Sequence, residues 1–487
     1  MKKLYIYLSF ICLTLCLVSC QKNFLEESSQ DMVRPKTTEA LNQIMTGEAY
    51  PLTLSIHDYI ELLNDDIQAD YNANAVVVAA LNKYAPVFTW QKDMLDKLAQ
   101  VSAQSPNPWL NYYARIKGCN VVLDYVDQVD GTESEKQNLR GQALALRSYY
   151  YFMMVNLFGK PYVGTAVNPE TDLGVPLILT AEVTDASIKR STVKEVYDQI
   201  ERDLLAAIPL LDANGEGNHV YKFNGAAAKF LLSKVYLYKG NWDGTIKYAD
   251  EVLQKKSNLK QYNEILTTAT AYAISSGVTS PEVIWGYGYY AELSTMPYGS
   301  QGVTRAAYSV SDNLTNTFDA ADLRLKYSFS TIAYISGSSI ISYKGRSGKY
   351  TGVGNSKAFR TAEVYLNRAE ANIMKAISGD QSGVTKALAD INLVRSNRIT
   401  TSAYVPVSIT DPQALLTFYK AERRRELCLE DSRWFDLRRW GMQPLSHNIQ
   451  LSAGSPQEVR LVQNDSRFTL GIPTEALNRN PNLVQNP

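Results

Sequence analysis

Histidine is almost missing: His57, His219 and His447 are the only three in 487 residues. No two are four positions apart and no H-E-x-x-H occurs, so a helix-borne zinc site has no ligand set. Cysteine is equally scarce. Of five, Cys12, Cys16 and Cys20 crowd the amino terminus, and Cys119 and Cys428 alone remain for the body of the chain. That excludes a disulfide framework, and both fall in helical patterns where a thiol behaves as a small apolar side chain. Phosphate loops are missing too: Gly348-Lys349 lacks the preceding glycine and the following Ser or Thr, and Gly286-Tyr287-Gly288 leads into tyrosine rather than a helix. No G-x-S-x-G elbow is present. Net charge is zero, with 49 Lys plus Arg against 49 Asp plus Glu, so no global field draws the protein to nucleic acid or anionic lipid. The expected partners are neutral, and no cofactor is implied.

What is present begins at the amino terminus. Lys2 and Lys3 precede an apolar run from Leu4 to Leu17, shorter than the ~20 residues a spanning helix needs. The run closes on Leu17-Val18-Ser19-Cys20, which resembles the lipobox of bacterial lipoproteins. Residues 1–19 are expected to be cleaved, leaving Cys20 as the acylated first residue, and several acyl chains together anchor firmly.

Past the tether, Gln21 to Glu48 is polar. From about 105 to 256 the pattern is helical. Val193, Val196, Ile200, Leu204, Ile208 and Leu211 recur at spacings of three and four, behind a Thr192-x-x-Glu195 capping box. Ala227-Ala228 through Tyr236, then Gly240-Asn241-Trp242, then Ile246, Ala249 and Val252 spell helix, turn, helix, the grammar of a tetratricopeptide-like repeat. Similar pairs fall at 109–127 with 134–158 and at 359–377 with 383–398, and a last helical block ends near 440. The middle, about 257–358, is rich in Ser, Gly, Thr and Tyr, with a strand expected at 282–286. The chain as a whole carries 32 Tyr against 13 Phe, and a tyrosine combines an apolar face with a polar tip. The expected fold is mainly α: a helical-repeat scaffold with an irregular insertion of loops and short strands, which are the segments that commonly carry function.

Several motifs resemble the SusD/RagB family of outer-membrane nutrient-binding lipoproteins. They are Phe24-Leu25-Glu26 after Cys20, Arg147-Ser148-Tyr149-Tyr150-Tyr151-Phe152 with Leu157-Phe158-Gly159-Lys160-Pro161, and Glu363-Val364-Tyr365-Leu366-Asn367-Arg368-Ala369-Glu370. Glu422-Arg423-Arg424-Arg425-Glu426-Leu427, Arg433-Trp434-Phe435-Asp436-Leu437-Arg438-Arg439-Trp440 and the ending from Asn480-Pro481-Asn482 to Pro487 complete the set. The resemblance covers residues 20–487 as a single domain. It implies a surface lipoprotein on the outer membrane that captures oligosaccharide, or peptide in some relatives. Such a protein sits as a lid on a SusC-like TonB-dependent transporter and performs no chemistry.

A sugar binder needs exposed aromatic planes beside hydroxyl-bonding groups. Trp90, after an Asn-rich stretch, is one candidate; the resemblance implies an aromatic contact from this region. Tyr287, Tyr289 and Tyr290, at the exit of the expected strand, form the second. Trp285, Trp109, Trp434 and Trp440 read as structural.

A surface hydrolase is the competing reading, and Glu422, Glu426 and Glu430 share one helix face as a carboxylate cluster would. Arg423, Arg424 and Arg425 among them favour a charge-paired network instead. Asp65, Asp66 and Asp70 lack the spacing of a calcium loop and read as solvated carboxylates. A ligand-free scaffold would bury Trp90 and the tyrosines. The anchor is testable at once: Cys20→Ala should move the protein from the membrane fraction to the soluble one, and membrane retention of the variant would reject lipidation there.

Overall fold

The computed structural model describes residues 34–51, 59–101, 107–182, 187–215, 219–265, 274–275, 280–288, 306–336, 338–349 and 357–487. Cys20, Tyr289, Tyr290 and His57 lie outside them. The chain runs through α1 (Thr38–Ile44), β1 (Ile67–Ala69), α2 (Ala75–Phe88), α3 (Met94–Val101), α4 (Pro108–Tyr125) and α5 (Glu133–Phe158). Next come α6 (Val193–Asn214), α7 (Gly225–Lys239), α8 (Trp242–Lys255), β2 (Val283–Tyr287), β3 (Tyr308–Val310), β4 (Phe329–Ser336), β5 (Ser339–Ser347) and β6 (Lys357–Arg360). It ends with α9 (Thr361–Ile377), α10 (Ser382–Ser396), α11 (Pro412–Leu427), α12 (Arg433–Arg439), β7 (Leu445–Ile449) and β8 (Gln457–Leu461). Short helical turns link some of these.

Local chemistry explains the helix boundaries. The Glu195 amide donates to the Thr192 hydroxyl at 3.2 Å while the Thr192 amide donates to the Glu195 carboxylate at 2.7 Å, so two otherwise orphaned donors are satisfied where α6 begins. Gly240 takes a left-handed conformation, φ 71°, and Asn241 then caps α8 through the Gly244 amide. A turn this short folds α8 back along α7. The two helices approach so closely that a methyl on Gly244 would meet the Tyr236 ring at 2.7 Å. Small residues permit this spacing; a β-carbon would force the pair apart.

Each helix from α4 to α8 packs on the next, and α9 then docks on α8 and carries α10 and α11. The blocks 105–256 and 359–440 are therefore one continuous stack, and the stretch from 257 to 358 is an excursion from it. One buried cluster runs through α4–α8 and a second joins α9, α10 and α11 around Leu366, Ile373, Ile391, Leu415 and Tyr419. The excursion holds β2 against β6, β3 against β1, and the hairpin β4–β5, all antiparallel. Two expectations were too coarse. The amino-terminal region contributes α1–α3, and the carboxyl-terminal tail forms the pair β7–β8. The Asn-Pro-rich ending closes on Arg190, which donates to the carbonyls of Phe158, Leu173, Gly174 and Val484 and to the Asn486 side chain.

The least expected part of the interior is ionic. Consecutive residues of α11 reach different sets of buried partners. Glu422 meets Arg324, Arg395 and Arg425, and Glu426 meets Arg324, Arg360 and Arg398. Arg423 pairs with Glu363 and Asp436. Arg424 pairs with Asp65 and Asp66, and Arg433 also holds Asp65. Glu430 closes on Lys349 and Arg360. The expectation of solvated carboxylates thus fails for Asp66, which is fully buried, and for Asp65, which is clamped by two guanidinium groups. Burial alone would raise the Glu422 carboxyl, but Arg324, Arg425 and Arg395 overcome it and hold the group down at about 2. The same balance holds Glu426, Glu430 and Asp436 below the ordinary carboxylate range.

Because these folded-state values lie below the unfolded ones, the stabilisation they give is complete above the ordinary carboxylate pKa and is lost as pH falls from about 4.5 toward 2. Glu61 opposes them: burial pushes it up to about 7, so it costs stability as pH rises from about 4.5 to 7. Glu426→Gln should cost about 3–5 kcal/mol at neutral pH, since it leaves buried arginines uncompensated, and should flatten the acid limb. Denaturant titration across pH checks both effects, and an unchanged midpoint would remove the ionic cluster from the account of stability.

Candidate functional site

Trp90 is not at a surface. It follows α2 with a left-handed backbone, φ 53°, which turns the indole inward. There Nε1 donates to the Leu63 carbonyl at 2.9 Å and the ring stacks on His447 at 4.2 Å. His447 is itself sandwiched against Phe88, and its nitrogens contact the carbonyls of Phe88 and Asn64. At 1% exposure Trp90 has no face left for a sugar ring. The expectation of stacking by Trp90 is corrected: its indole is a core wedge joining α2, β7 and the turn at Leu63.

Tyr287 ends β2, one residue beyond the expected strand. Its half-buried ring stacks on Trp285 at 4.7 Å and meets Tyr149 edge-on. Burial holds its hydroxyl well above the ordinary phenol range. Trp285 is fully buried among Phe223, Tyr149 and Phe359, as its strand position suggests. Trp434, also fully buried, stacks on Phe468, and Trp440 donates to Glu370. Trp109 packs on Phe158 and Tyr113.

The aromatic surface near the amino-terminal region is made by other residues. In β1–β3, Ala69 pairs with Tyr308, and the Asp70 amide extends the ladder by donating to the Ala307 carbonyl. Strand alternation puts Tyr71 on the face of Ala69 and Tyr308. Tyr308 reaches α2, where its hydroxyl donates to the Leu81 carbonyl and its ring meets Tyr84 edge-on at 6.2 Å. Tyr71 and Tyr84 are both half-buried and packed against the core, Lys83 lies over the Tyr84 ring at 5.0 Å, and neither hydroxyl makes a hydrogen bond among the described residues. Beside them, exposed Asn72 and Asn74 spend their side-chain oxygens on the amides of Asn74 and Val76, which pins the loop and caps α2. Their amide nitrogens make no hydrogen bond among the described residues. Asp70 accepts from Ser309 and Gln68.

Tyr71 and Tyr84 thus lie near the exposed amides of Asn72 and Asn74, while alternation turns Asp70 to the opposite face with Gln68 and Ser309. The Asn-rich stretch was visible in the sequence. What could not be read there was which neighbouring aromatic stays at the surface.

Clefts also lie elsewhere among the described residues. One of about 420 Å³ is lined by Trp109, Tyr113, Ile178, Glu475 and Leu483, but other rings pack on Trp109. Another of about 520 Å³ is lined by Asp212, Asn224, Lys255, Lys256 and Ser257 and carries no aromatic residue. Among the described residues no cluster of three His, Cys, Asp or Glu has the arrangement of a metal site, and no helix is long and apolar enough to cross a membrane. The three glutamates of α11 and its exit are sealed in ion pairs.

Residues 23–237 match the family model described as starch-binding and associating with the outer membrane, and residues 285–487 match that of the SusD family. The chain belongs to the SusD/RagB family. Curated relatives include SusD-like protein P2 of Formosa agariphila, 23% identical over 98% of both chains, and SusD-like protein P25 of the same organism, 22% identical over 99% of this chain and 97% of that one. Among solved structures, a SusD superfamily protein from Bacteroides thetaiotaomicron superposes with a TM-score of 0.69 at 22% identity, covering 92% of this chain and 98% of that one. A SusD-like carbohydrate binding protein from Bacteroides vulgatus gives 0.67 at 19%, covering 92% and 97%. The helical-repeat fold expected from the sequence is thus the fold of these proteins.

Trp90→Ala should destabilise the protein by about 3–5 kcal/mol through cavity formation and an unpaired Leu63 carbonyl, read from the denaturant midpoint. A loss below about 1 kcal/mol would place the indole outside the core.

Proposed function

We propose that this protein captures oligosaccharide at the cell surface and hands it to a partner TonB-dependent outer-membrane transporter, without cleaving it. Its anchor would be the lipid on Cys20 and its body would face the exterior. The carrying observation is that Tyr71 and Tyr84 stay half-buried near exposed Asn72 and Asn74, whose amide nitrogens are uncommitted among the described residues. Sugar C–H faces pack on such rings, and ring hydroxyls accept from such amides. Tyr287, Tyr289 and Tyr290 remain part of the proposal as a second aromatic contribution at the exit of β2. Family membership and relatives described as carbohydrate-binding support the ligand class.

The non-catalytic reading is supported by the state of Glu422, Glu426 and Glu430. A glycosidase needs one carboxyl held protonated near neutral pH and open to substrate. All three are instead held ionised by arginine or lysine neighbours inside the fold.

Calorimetric titration of the full chain against plant, host and microbial oligosaccharides tests this. Saturable binding without new reducing ends is expected, weakened about five- to tenfold by Tyr71→Ala at unchanged thermal stability, given ~1 kcal/mol per aromatic contact. Release of reducing ends would replace the proposal with a hydrolase. Binding of peptides alone would assign the peptide-binding reading of the family.

A further inference from the structure

The hairpin β4–β5 carries a feature that neither the helical stack nor the tyrosine rim uses. Among the described residues β4 pairs only with β5, and no strand lies beside its other edge. Ser336 and Ser339, with two residues between them in sequence, form the last pair of the ladder. In such a hairpin the closing pair is the hydrogen-bonded one, and hydrogen-bonded and open pairs then alternate. Thr331, Ala333 and Ile335 fall on the open pairs, with N–H and C=O directed away from β5. Among the described residues none of these groups enters a backbone hydrogen bond with another segment.

Exposed edges are normally blunted by charge, proline, a bulge or a covering element. β4, Phe-Ser-Thr-Ile-Ala-Tyr-Ile-Ser, holds neither proline nor a charged residue, and its register shift lies at the base, between Ser330 and Thr331. The distal half is apolar. Ile335 is 66% exposed and Ile340, its cross-strand partner, 76%. Ile341, 38% exposed, pairs with Tyr334 and so lies on the opposite face. A strand added to the edge would leave apolar surface on both faces, and only a folded body flanking that strand would cover them.

Charge selects the occupant. Between Asp322 and Glu363 the sequence has no carboxylate and seven cations. Arg324, Lys349, Lys357 and Arg360 are consumed in buried ion pairs. Lys326, over the Tyr327 ring, and Lys344, bonded to the Thr331 hydroxyl, have no carboxylate partner among the described residues. A second copy of this hairpin would add cations and no carboxylate, whereas an acidic strand would be matched.

We propose that the outer edge of β4 is a docking edge for a partner protein, which adds an extended strand of alternating apolar and acidic residues. Main-chain hydrogen bonds to Thr331, Ala333 and Ile335 set the register, the isoleucines supply buried area, and Lys326 and Lys344 select for acid. The inference is independent of the glycan reading.

The test uses the full chain and a fluorescein-labelled peptide of alternating valine and glutamate long enough to span β4, with a valine–lysine peptide as control. Expected are saturable anisotropy for the acidic peptide only, slowed amide exchange at Thr331, Ala333 and Ile335, and about tenfold or greater weakening by Ala333→Pro, which removes one outward N–H. If Ala333→Pro lowers the melting temperature, Ile335→Glu replaces it, because that side chain is mostly exposed. Equal binding of both peptides, no saturable binding, or undiminished binding by the variants would overturn the proposal. So would a concentration-dependent dimer abolished by the same variants, which would make a second copy the occupant.

Discussion

The interaction on which the rest of this structure depends is the buried ion cluster around Glu426. Its carboxylate is shared among Arg324, Arg360 and Arg398, and Glu282 joins Arg360 and Arg398 from the far side. The partners come from separate parts of the chain: Glu282 precedes β2, Arg324 precedes β4, Arg360 ends β6, Arg398 follows α10, and Glu426 lies in α11. Desolvating these groups one at a time would be prohibitive, so they enter the interior together or not at all. The cluster therefore acts as a geometric lock. It ties the long excursion between α8 and α9 to the helical stack where apolar contact alone would tolerate sliding.

That lock positions the candidate site. β1 pairs with β3 inside the excursion, while Arg424 and Arg433 hold Asp65 and Asp66 just ahead of β1. The rim bearing Tyr71 and Tyr84 is thus supported from one side by the ladder and from below by ion pairs to the carboxyl-terminal motif. Buried pairs add little net stability over well-packed apolar residues, but their fixed partners define a single arrangement. The proposed site of tyrosines and amides would need that: each contact would be weak, and several would have to be held in register to bind one oligosaccharide.

The electrostatic economy also separates binding from catalysis. Carboxylates at i, i+4 and i+8 look alike whether they face a substrate or a guanidinium. Here each of Glu422, Glu426 and Glu430 is surrounded by cations and held ionised, which suits a strut and not a proton donor. The thiols of Cys119 and Cys428 are equally inert, both pushed up to about 12 by burial.

Local, repetitive features were legible in the sequence because short-range physics decides them. The capping box at Thr192, the Gly240-Asn241 turn, the helix pairs and the strand before Tyr287 each depend on residues a few positions apart. The inward Trp285 and the paired glutamates of α11 were legible for a similar reason, since alternation and neighbouring charge constrain them. Trp90 was not. Its burial rests on a left-handed backbone at one residue and on His447, more than three hundred positions away, and no spacing rule encodes such a contact. For the same reason Tyr71 and Tyr84 became candidates only once Tyr308 was seen between β1 and α2. The sequence by itself determined the main helix pairs, the repeat grammar and the family. Only the tertiary structure decided which aromatics remain at the surface, because exposure is set by what the rest of the chain places over a residue.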